Sequence, residues 1–458
     1  MCGIFGIVLS DRRADLGEML VRAGRRLSYR GYDSVGCATL SENGRIDLRK
    51  DVGSIEHVSK ALNFFEMAGD RGICQLRWAT FGPPSKINAQ PHFDFTGERV
   101  GAHNGNITNN PFLREALLSE GIVVESQNDG ETLVNICAKY ISRGLPPEVA
   151  YTKVVQETTG DFAFVMAQQN TRELHCLKMG SSLYLGLGDG FICCSSDLPS
   201  IVEFTRRFLR LRDGDLVIFD HEKFRIFNIK EQAWVTRKEE TSDIDIERVA
   251  KEPYAHFFIK EIHEQVESTR NIISLYERGE VWKDFVEAIE RAPRTFITGA
   301  GTSYHALLLG TYFFSNIAGV PLYPAIASQM LPLYASAVGK DDLLVLVSQS
   351  GETKDLINVF NWSKSTGNGK TFAVVNNIGS TLALHCDGMI PIASFLEIAV
   401  PATKTYLNQV VAFLYCAYRL GQRRGLVRDD RLAIELANLP SLVEETIKAN
   451  EKAVKEAS

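Results

Sequence analysis

The sequence predicts a multidomain chain, α+β in its first half and α/β in its second: a β-rich layer structure with a few covering helices, then a doubly wound parallel sheet. Three observations carry that reading. Up to about residue 235, short apolar strands alternate with Gly, Asn and Asp turns, as in RVGAHNGNITNN and SLYLGLGDGFICCSSD, the punctuation of antiparallel strands. The stretch RKEETSDIDIERVAKEPY is then strongly charged and almost without apolar periodicity, which marks a linker. From Phe257 onward, helical stretches separate the unbroken apolar strands TFITGAG, LLVLVSQSG and TFAVVNN. Strands that lose alternation are buried on both faces, as in parallel sheets covered by helices. The predicted divisions are a first domain over 1–235, a linker over 236–256, a sheet domain over 257–440 and a C-terminal helix over 441–458.

Taken in order, MCGIFGIV places Ile4, Phe5, Ile7 and Val8 in a short apolar run broken by Gly3 and Gly6, which suits a central β-strand. Cys2 at its head is open to two readings. It is a small buried cysteine, or, once Met1 is removed, a nucleophile whose own α-amine, titrating near ~8, serves as its base. RWATFG sets Arg77 beside Trp78 and Thr80 at a strand end, where a guanidinium can hold a carboxylate with two parallel bonds. AHNGNITNN follows an apolar strand with Asn104 and Gly105 in a tight turn. That is an ordinary hairpin, or a side-chain amide and a backbone N–H converging on one oxyanion. SQNDGE supplies Asp129 and Glu131 in a turn before a helix, to hold an ammonium or to cap.

In the second half, GAGTSYHA (299–306) and SQSGETKD (348–355) both follow apolar strands and open helices. Hydroxyls and free backbone N–H groups at two helix N-termini about one βαβ unit apart suit a phosphate. In open α/β sheets the ligand crevice lies beyond the carboxyl ends of the strands. Lys260, Glu261, Glu264 and Lys404 lie near these motifs and read as solvated helix faces and caps. VVAFLYCAYRLG is too short to span a bilayer and reads as a core helix.

With 458 residues, 45% of them hydrophobic and 23% charged, the chain has an ordinary globular composition. A formal charge of −6 without a basic stripe gives no reason to expect nucleic acid. The nine cysteines form neither CxxC pairs nor a Cys/His ladder, so a reduced cytoplasmic chain with no metal, no cofactor and no membrane segment is expected.

MCGI, RLSYRGYDSVG, RWAT, AHNG and NDGE together resemble the N-terminal-nucleophile (class II) glutamine amidotransferases, and the two later loops resemble the SIS (sugar isomerase) domain. In that order, with YAHFFIKEIHEQ and EIAVPATKTYLNQ extending the match, the chain resembles the glutamine:fructose-6-phosphate aminotransferase family. The resemblance implies an αββα N-terminal-nucleophile layer fold followed by a SIS domain. It implies Cys2 as nucleophile and Asn104 with Gly105 as oxyanion hole. Arg77, Trp78, Thr80 and Asp129 would then bind L-glutamine, Trp78 alternatively packing or lining a passage for ammonia. Thr302, Ser303, Ser348, Gln349, Ser350 and Thr353 would hold the phosphate of fructose 6-phosphate. Phe81 and Gln90 stand where the family pattern usually has histidines, and Ala402 where it often has Ser. A homodimer through SIS domains is implied as well.

The family carries a second SIS domain that supplies acid–base groups for sugar isomerisation, and the sequence shows one. Two activities are therefore expected in competition. One is transfer of glutamine-derived ammonia to fructose 6-phosphate, giving glucosamine 6-phosphate. The other is a glutaminase whose SIS domain senses a sugar phosphate and relies on a separate chain for isomerisation, or does not perform it.

Overall fold

The computed structural model describes residues 2–41, 45–243, 253, 254 and 256–457. It divides into two compact units, Met1–Ala250 and Lys251–Ser458.

In the first unit two antiparallel sheets lie face to face. One has eight strands in the order Glu239–Thr241, Arg207–Arg210, Tyr184–Gly188, Phe191–Ser195, Gly3–Arg13, Gly69–Arg77, Ser34–Leu40 and Ile46–Val52. The other has seven: Ala233–Val235, Phe224–Asn228, Asp215–Phe219, Leu174–Met179, Gly160–Gln168, Arg99–Ile107 and His92–Phe93. The period-2 alternation of the opening strand decides its two faces. Ile4 and Val8 join Val100, Ala102 and Val165 between the sheets. Phe5, Ile7 and Leu9 turn outward under the helix Leu16–Leu27. Gly6 is small for a reason, since a Cβ there would stand 2.9 Å from Leu174 Cδ2 of the facing sheet and 3.0 Å from Cys194 Sγ of the neighbouring strand. The helices Asn110–Ser119, Asp129–Ser142 and Pro147–Glu157 cover the outer face of the second sheet. The layering is αββα, as expected. Cys193 and Cys194 divide between the layers: Cys193 faces the helices and Cys194 the inter-sheet core.

The second unit has a five-stranded, wholly parallel sheet in the order Tyr323–Ile326, Thr295–Gly299, Leu343–Ser348, Lys370–Val375 and Gly388–Pro391. Phe257–Gly279, Lys283–Arg291, Thr302–Phe313 and Lys404–Arg423 pack on one face, and Lys354–Thr366 and Thr381–His385 on the other. In chain order the strands run second, first, third, fourth, fifth. The winding therefore reverses between Thr295–Gly299 and Leu343–Ser348, and a crevice opens at their carboxyl ends.

Two boundaries differ from the sequence reading. The stretch read as linker begins with the strand Glu239–Thr241, paired to Arg207–Arg210, because Arg207 and Glu239 meet across that ladder at 2.7 Å. Residues 244–252 and 255 of it lie outside the described residues. The division at residue 440 falls inside one helix, Arg431–Ala457, which continues through Pro440. Among the described residues no helix is long and apolar enough to cross a membrane.

Candidate functional site

Register brings the opening cysteine to the end of the neighbouring strand. Gly3 pairs with Leu76, so Cys2 stands beside Arg77 and Trp78. The Trp78 N–H donates to Cys2 Sγ at 3.3 Å, and the thiol donates back to Trp78 O at 3.5 Å. Cys2 is 8% exposed. Burial pushes its thiol up, against the opposing pull of the Trp78 N–H and the Arg77 guanidinium. At neutral pH the thiol is therefore protonated, and a base must take its proton before sulfur can attack.

Arg77 is buried and donates to the carbonyls of Phe81, Gly82 (3.0 Å) and Pro83 (3.4 Å), which curls the following loop back over it. Asp33, from RLSYRGYDSVG, pins the same loop by accepting the Ala79 N–H at 2.8 Å. Thr80 is exposed on this loop and Trp78 half-buried.

Asn104 and Gly105 are not in a tight turn, as the sequence suggested. They lie within the strand Arg99–Ile107, paired with Ala163 and Phe162. An Asn-Gly pair favours positive φ, which a hairpin and an irregular strand both use. Gly105 has φ +113°, and a Cβ there would be 2.0 Å from Asp161 O, so no other residue fits. Asn104 is buried and its Nδ2 donates to Ser196 Oγ at 2.6 Å.

Asp129 opens the helix Asp129–Ser142, directly after Asn128 as N-cap. Its Oδ2 accepts the Ile107 N–H at 2.9 Å and lies 3.2 Å from His103 Nε2. Burial pulls its carboxyl up, but His103 and the Ile107 N–H hold it below the ordinary carboxylate value. Gln90 clamps the backbone next to the oxyanion residues: Oε1 accepts the His103 N–H at 2.7 Å, and Nε2 donates to His103 O at 3.0 Å. An imidazole, with donor and acceptor on opposite sides of its ring, could not close the same pair. Cys2, Arg77, Asp129 and the Asn104–Gly105 strand thus converge on one end of the sandwich, with Thr80 on the loop above.

Sequence reasoning missed the supports. Asp33 and Gln90 are two. Ser196 and Asp197 are two more, Asp197 accepting from Tyr29 Oη and, at 3.4 Å, from Arg30 Nε. The signals were the long RLSYRGYDSVG match, whose Tyr29, Arg30 and Asp33 had no assigned partners, and Gln90 itself, standing where the family pattern usually has a histidine; Ser196 and Asp197 gave none.

In the second unit, Thr302, Ser303, Ser348, Gln349, Ser350 and Thr353 all line one pocket of about 410 Å3 at the switch point. Helices Thr302–Phe313 and Lys354–Thr366 both begin there, directing partial positive charge and unused N–H groups into it. The hydroxyls are pre-set: Ser348 Oγ meets Thr353 Oγ1 at 2.9 Å and accepts the Gly351 N–H at 2.9 Å, and Ser303 Oγ accepts from Gln409 Nε2 at 2.9 Å. No Lys or Arg lines the pocket among the described residues, so an anion would be met by hydroxyls and amides. Val400–Ala402 form the opposite wall beside Glu397, whose carboxylate accepts from Thr403 and Thr405.

The expectation of solvated charges behind this wall is corrected. Lys404 is 1% exposed, its Nζ bonded to Glu264 Oε2 at 2.5 Å and Leu396 O at 2.6 Å. Glu261 is equally buried and accepts the Ile398 and Ala399 N–H groups. Burial raises its carboxyl to about 7. The helix Phe257–Gly279 thereby grips both ends of the segment that walls the pocket.

An αββα unit with cysteine at the head of a central strand, followed by a doubly wound unit with a hydroxyl-lined pocket, defines an amidotransferase of the N-terminal-nucleophile kind joined to a SIS domain. Residues 79–203 match the family model of a glutamine amidotransferase domain and residues 288–418 that of the SIS domain. A glutamine–fructose-6-phosphate aminotransferase (isomerizing) of Sulfurisphaera tokodaii is 36% identical over 425 residues, 91% of this chain and 70% of the relative. That of Pyrococcus horikoshii is 35% identical over 455 residues, 99% and 74% of the two chains. The chain belongs to the glutamine–fructose-6-phosphate aminotransferase family. A solved C-terminal domain of glucosamine-fructose-6-phosphate aminotransferase from Francisella tularensis is 28% identical with a TM-score of 0.40, covering 44% of this chain and 58% of that one.

Proposed function

We propose that the chain hydrolyses L-glutamine at Cys2 and delivers the ammonia to fructose 6-phosphate on its SIS unit, giving glucosamine 6-phosphate. The observation that carries this reading is the occurrence in one chain of the Cys2–Arg77–Asn104–Asp129 constellation and the hydroxyl-lined pocket of Ser348 and Thr353.

With Met1 removed, the Cys2 α-amine takes the thiol proton as sulfur attacks the γ-carboxamide carbon. Nδ2–H of Asn104 and N–H of Gly105 hold the oxyanion. The proton passes to the leaving nitrogen and ammonia departs. Water then cleaves the thioester, releasing glutamate and restoring the thiol. Arg77 exchanges its loop carbonyls for the glutamine α-carboxylate, Asp129 receives the α-ammonium, and Trp78 and Thr80 complete that pocket. On the SIS unit, ammonia adds to the C2 carbonyl of the open-chain sugar, water is lost, and isomerisation of the imine gives the amino sugar.

A second reading is favoured by one feature of the sugar pocket. Among the described residues Glu397 is the one titratable group lining it, and its carboxylate is occupied by Thr403 and Thr405. A pocket of this kind binds a sugar phosphate, while isomerisation draws on groups of a partner chain or is not performed. A homodimer through the SIS unit is supported by Tyr312, 65% exposed on a helix that also shows Leu309 to solvent. A cytoplasmic setting is supported by nine free thiols.

The test is one pair of assays on purified protein with both substrates, glutamate release and amino-sugar phosphate formation. Both products support the first reading. Glutamate alone selects the second, and neither product overturns the assignment of Cys2.

A further inference from the structure

Ser196 has no part in the reaction as set out above. It follows the strand Phe191–Ser195, which runs antiparallel to Gly3–Arg13 with Ser195 opposite Phe5, so register alone brings it beside the strand that carries Cys2. Its side chain is fully buried, and its hydroxyl is fully engaged. Ile4 N–H donates to Oγ at 2.8 Å, Asn104 Nδ2 donates to it at 2.6 Å, and Oγ donates to Ile4 O 3.4 Å away. The Ser196 N–H also donates to Ile4 O, at 3.0 Å. One residue thus clasps both main-chain groups of Ile4, two positions from the nucleophile, and at the same time holds the amide of Asn104.

A hydroxyl has one proton and two lone pairs. With the proton directed at Ile4 O and one lone pair taken by the Ile4 N–H, what Ser196 presents to Asn104 is a second lone pair. Only a donor can meet it. The carboxamide must therefore turn its NH2, not its C=O, toward Ser196. One of the two hydrogens on Nδ2 is used there, and the other projects from an amide plane that can no longer rotate freely. We propose that Ser196 is a positioning residue for glutamine hydrolysis: it fixes the Asn104 carboxamide so that one Nδ2–H is left for the oxyanion, and ties that orientation to the Cys2 strand. This rests on the assignment of Cys2 and Asn104 above. The support continues outward, since Ser182 Oγ donates to Ser196 O at 2.8 Å and Asp197 is held by Tyr29 and Arg30.

An oxyanion donor acts in the transition state and not on bound substrate, so losing its orientation lowers kcat and leaves KM in place. The test measures glutamate release by the full chain and by Ser196→Ala, Asn104→Ala and the double variant. Asn104→Ala is expected to lower kcat about 100- to 1000-fold, the usual cost of one oxyanion donor. Ser196→Ala is expected to lower kcat by about 10- to 100-fold with KM within about twofold, but by less than about threefold in the Asn104→Ala background, because its effect runs through Asn104. Ser196→Thr, which keeps the hydroxyl, recovers most of the rate. Alkylation of Cys2 by iodoacetamide, which forms no oxyanion, is unchanged in Ser196→Ala. Equal losses in both backgrounds, or alkylation falling in step with kcat, would show that Ser196 only holds the strand and would overturn the proposal. If the unaltered chain releases no glutamate, the assignment of Cys2 fails together with this inference; release with additive losses sinks this inference alone.

Discussion

Replacing Lys404 by Met keeps the length of the side chain and removes its charge from a site that is 1% exposed. Two acceptors lose their donor: Glu264 Oε2 at 2.5 Å and Leu396 O at 2.6 Å. Breaking a buried ion pair from one side costs about 3–5 kcal/mol. Glu264, however, is 21% exposed and keeps Lys260 at 2.7 Å, which places its share at the low end. Leu396 O is left without its charged donor, worth about 1–3 kcal/mol. Together a loss of about 4 kcal/mol is expected. At roughly 2–4 °C per kcal/mol for a unit of about 200 residues, the apparent Tm should fall by about 8–16 °C. Thermal unfolding followed by tryptophan fluorescence measures this, and the companion Lys404→Met/Glu264→Met variant should recover part of the loss, since the carboxylate that lost its lysine is removed with it. Stability of Lys404→Met within about 0.5 kcal/mol of the unaltered chain, the range of neutral surface substitutions, would refute the view that this pair clamps the wall of the sugar pocket.

Gly105→Ala forces a side chain into φ +113° and within 2.0 Å of Asp161 O; if the chain folds, glutamate release should drop at least about 100-fold, as for loss of an oxyanion donor. Ser348→Ala removes the acceptor of the Gly351 N–H and the partner of Thr353, and titration calorimetry should show about tenfold weaker binding of fructose 6-phosphate. Glu261 titrates at about 7 in the folded chain against 4.5 ordinarily, so between these values the folded state holds a proton that the unfolded state has lost. Stability is fully present below pH 4.5 and declines as pH rises through 7, by about 3 kcal/mol at most. Glu261→Gln should flatten that decline in urea midpoints measured from pH 5 to 8.

The layers and the parallel sheet were legible because burial on one or both faces writes itself into periodicity, as in Gly3–Arg13 and Leu343–Ser348. The polar loops of the second unit were legible for a related reason: Ser and Thr directly after an apolar strand have few structural uses beyond capping. Asn104–Gly105 read as a turn because the sequence reports tolerance of positive φ without saying whether the chain reverses. Lys404 read as solvated because its partner Glu264 lies 140 residues away, and nothing local distinguishes a paired lysine from an exposed one. Ser196 was silent for the same reason. It is one serine among three polar residues at 195–197, and its meaning comes only from Ile4 and Asn104.

The place of the opening strand also sets an order of events in synthesis. Gly3–Arg13 is an interior strand, flanked by Gly69–Arg77 and by Phe191–Ser195, and the bonds from Ile4 to Ser196 span 192 positions. Such distant pairings are slow to form and come after local ones. Nearly 200 residues must leave the ribosome before Cys2 acquires its surroundings, and until then the start of the chain stays open to an aminopeptidase. The removal of Met1 that the proposed mechanism requires therefore falls to the nascent chain, before the sheet closes around Cys2.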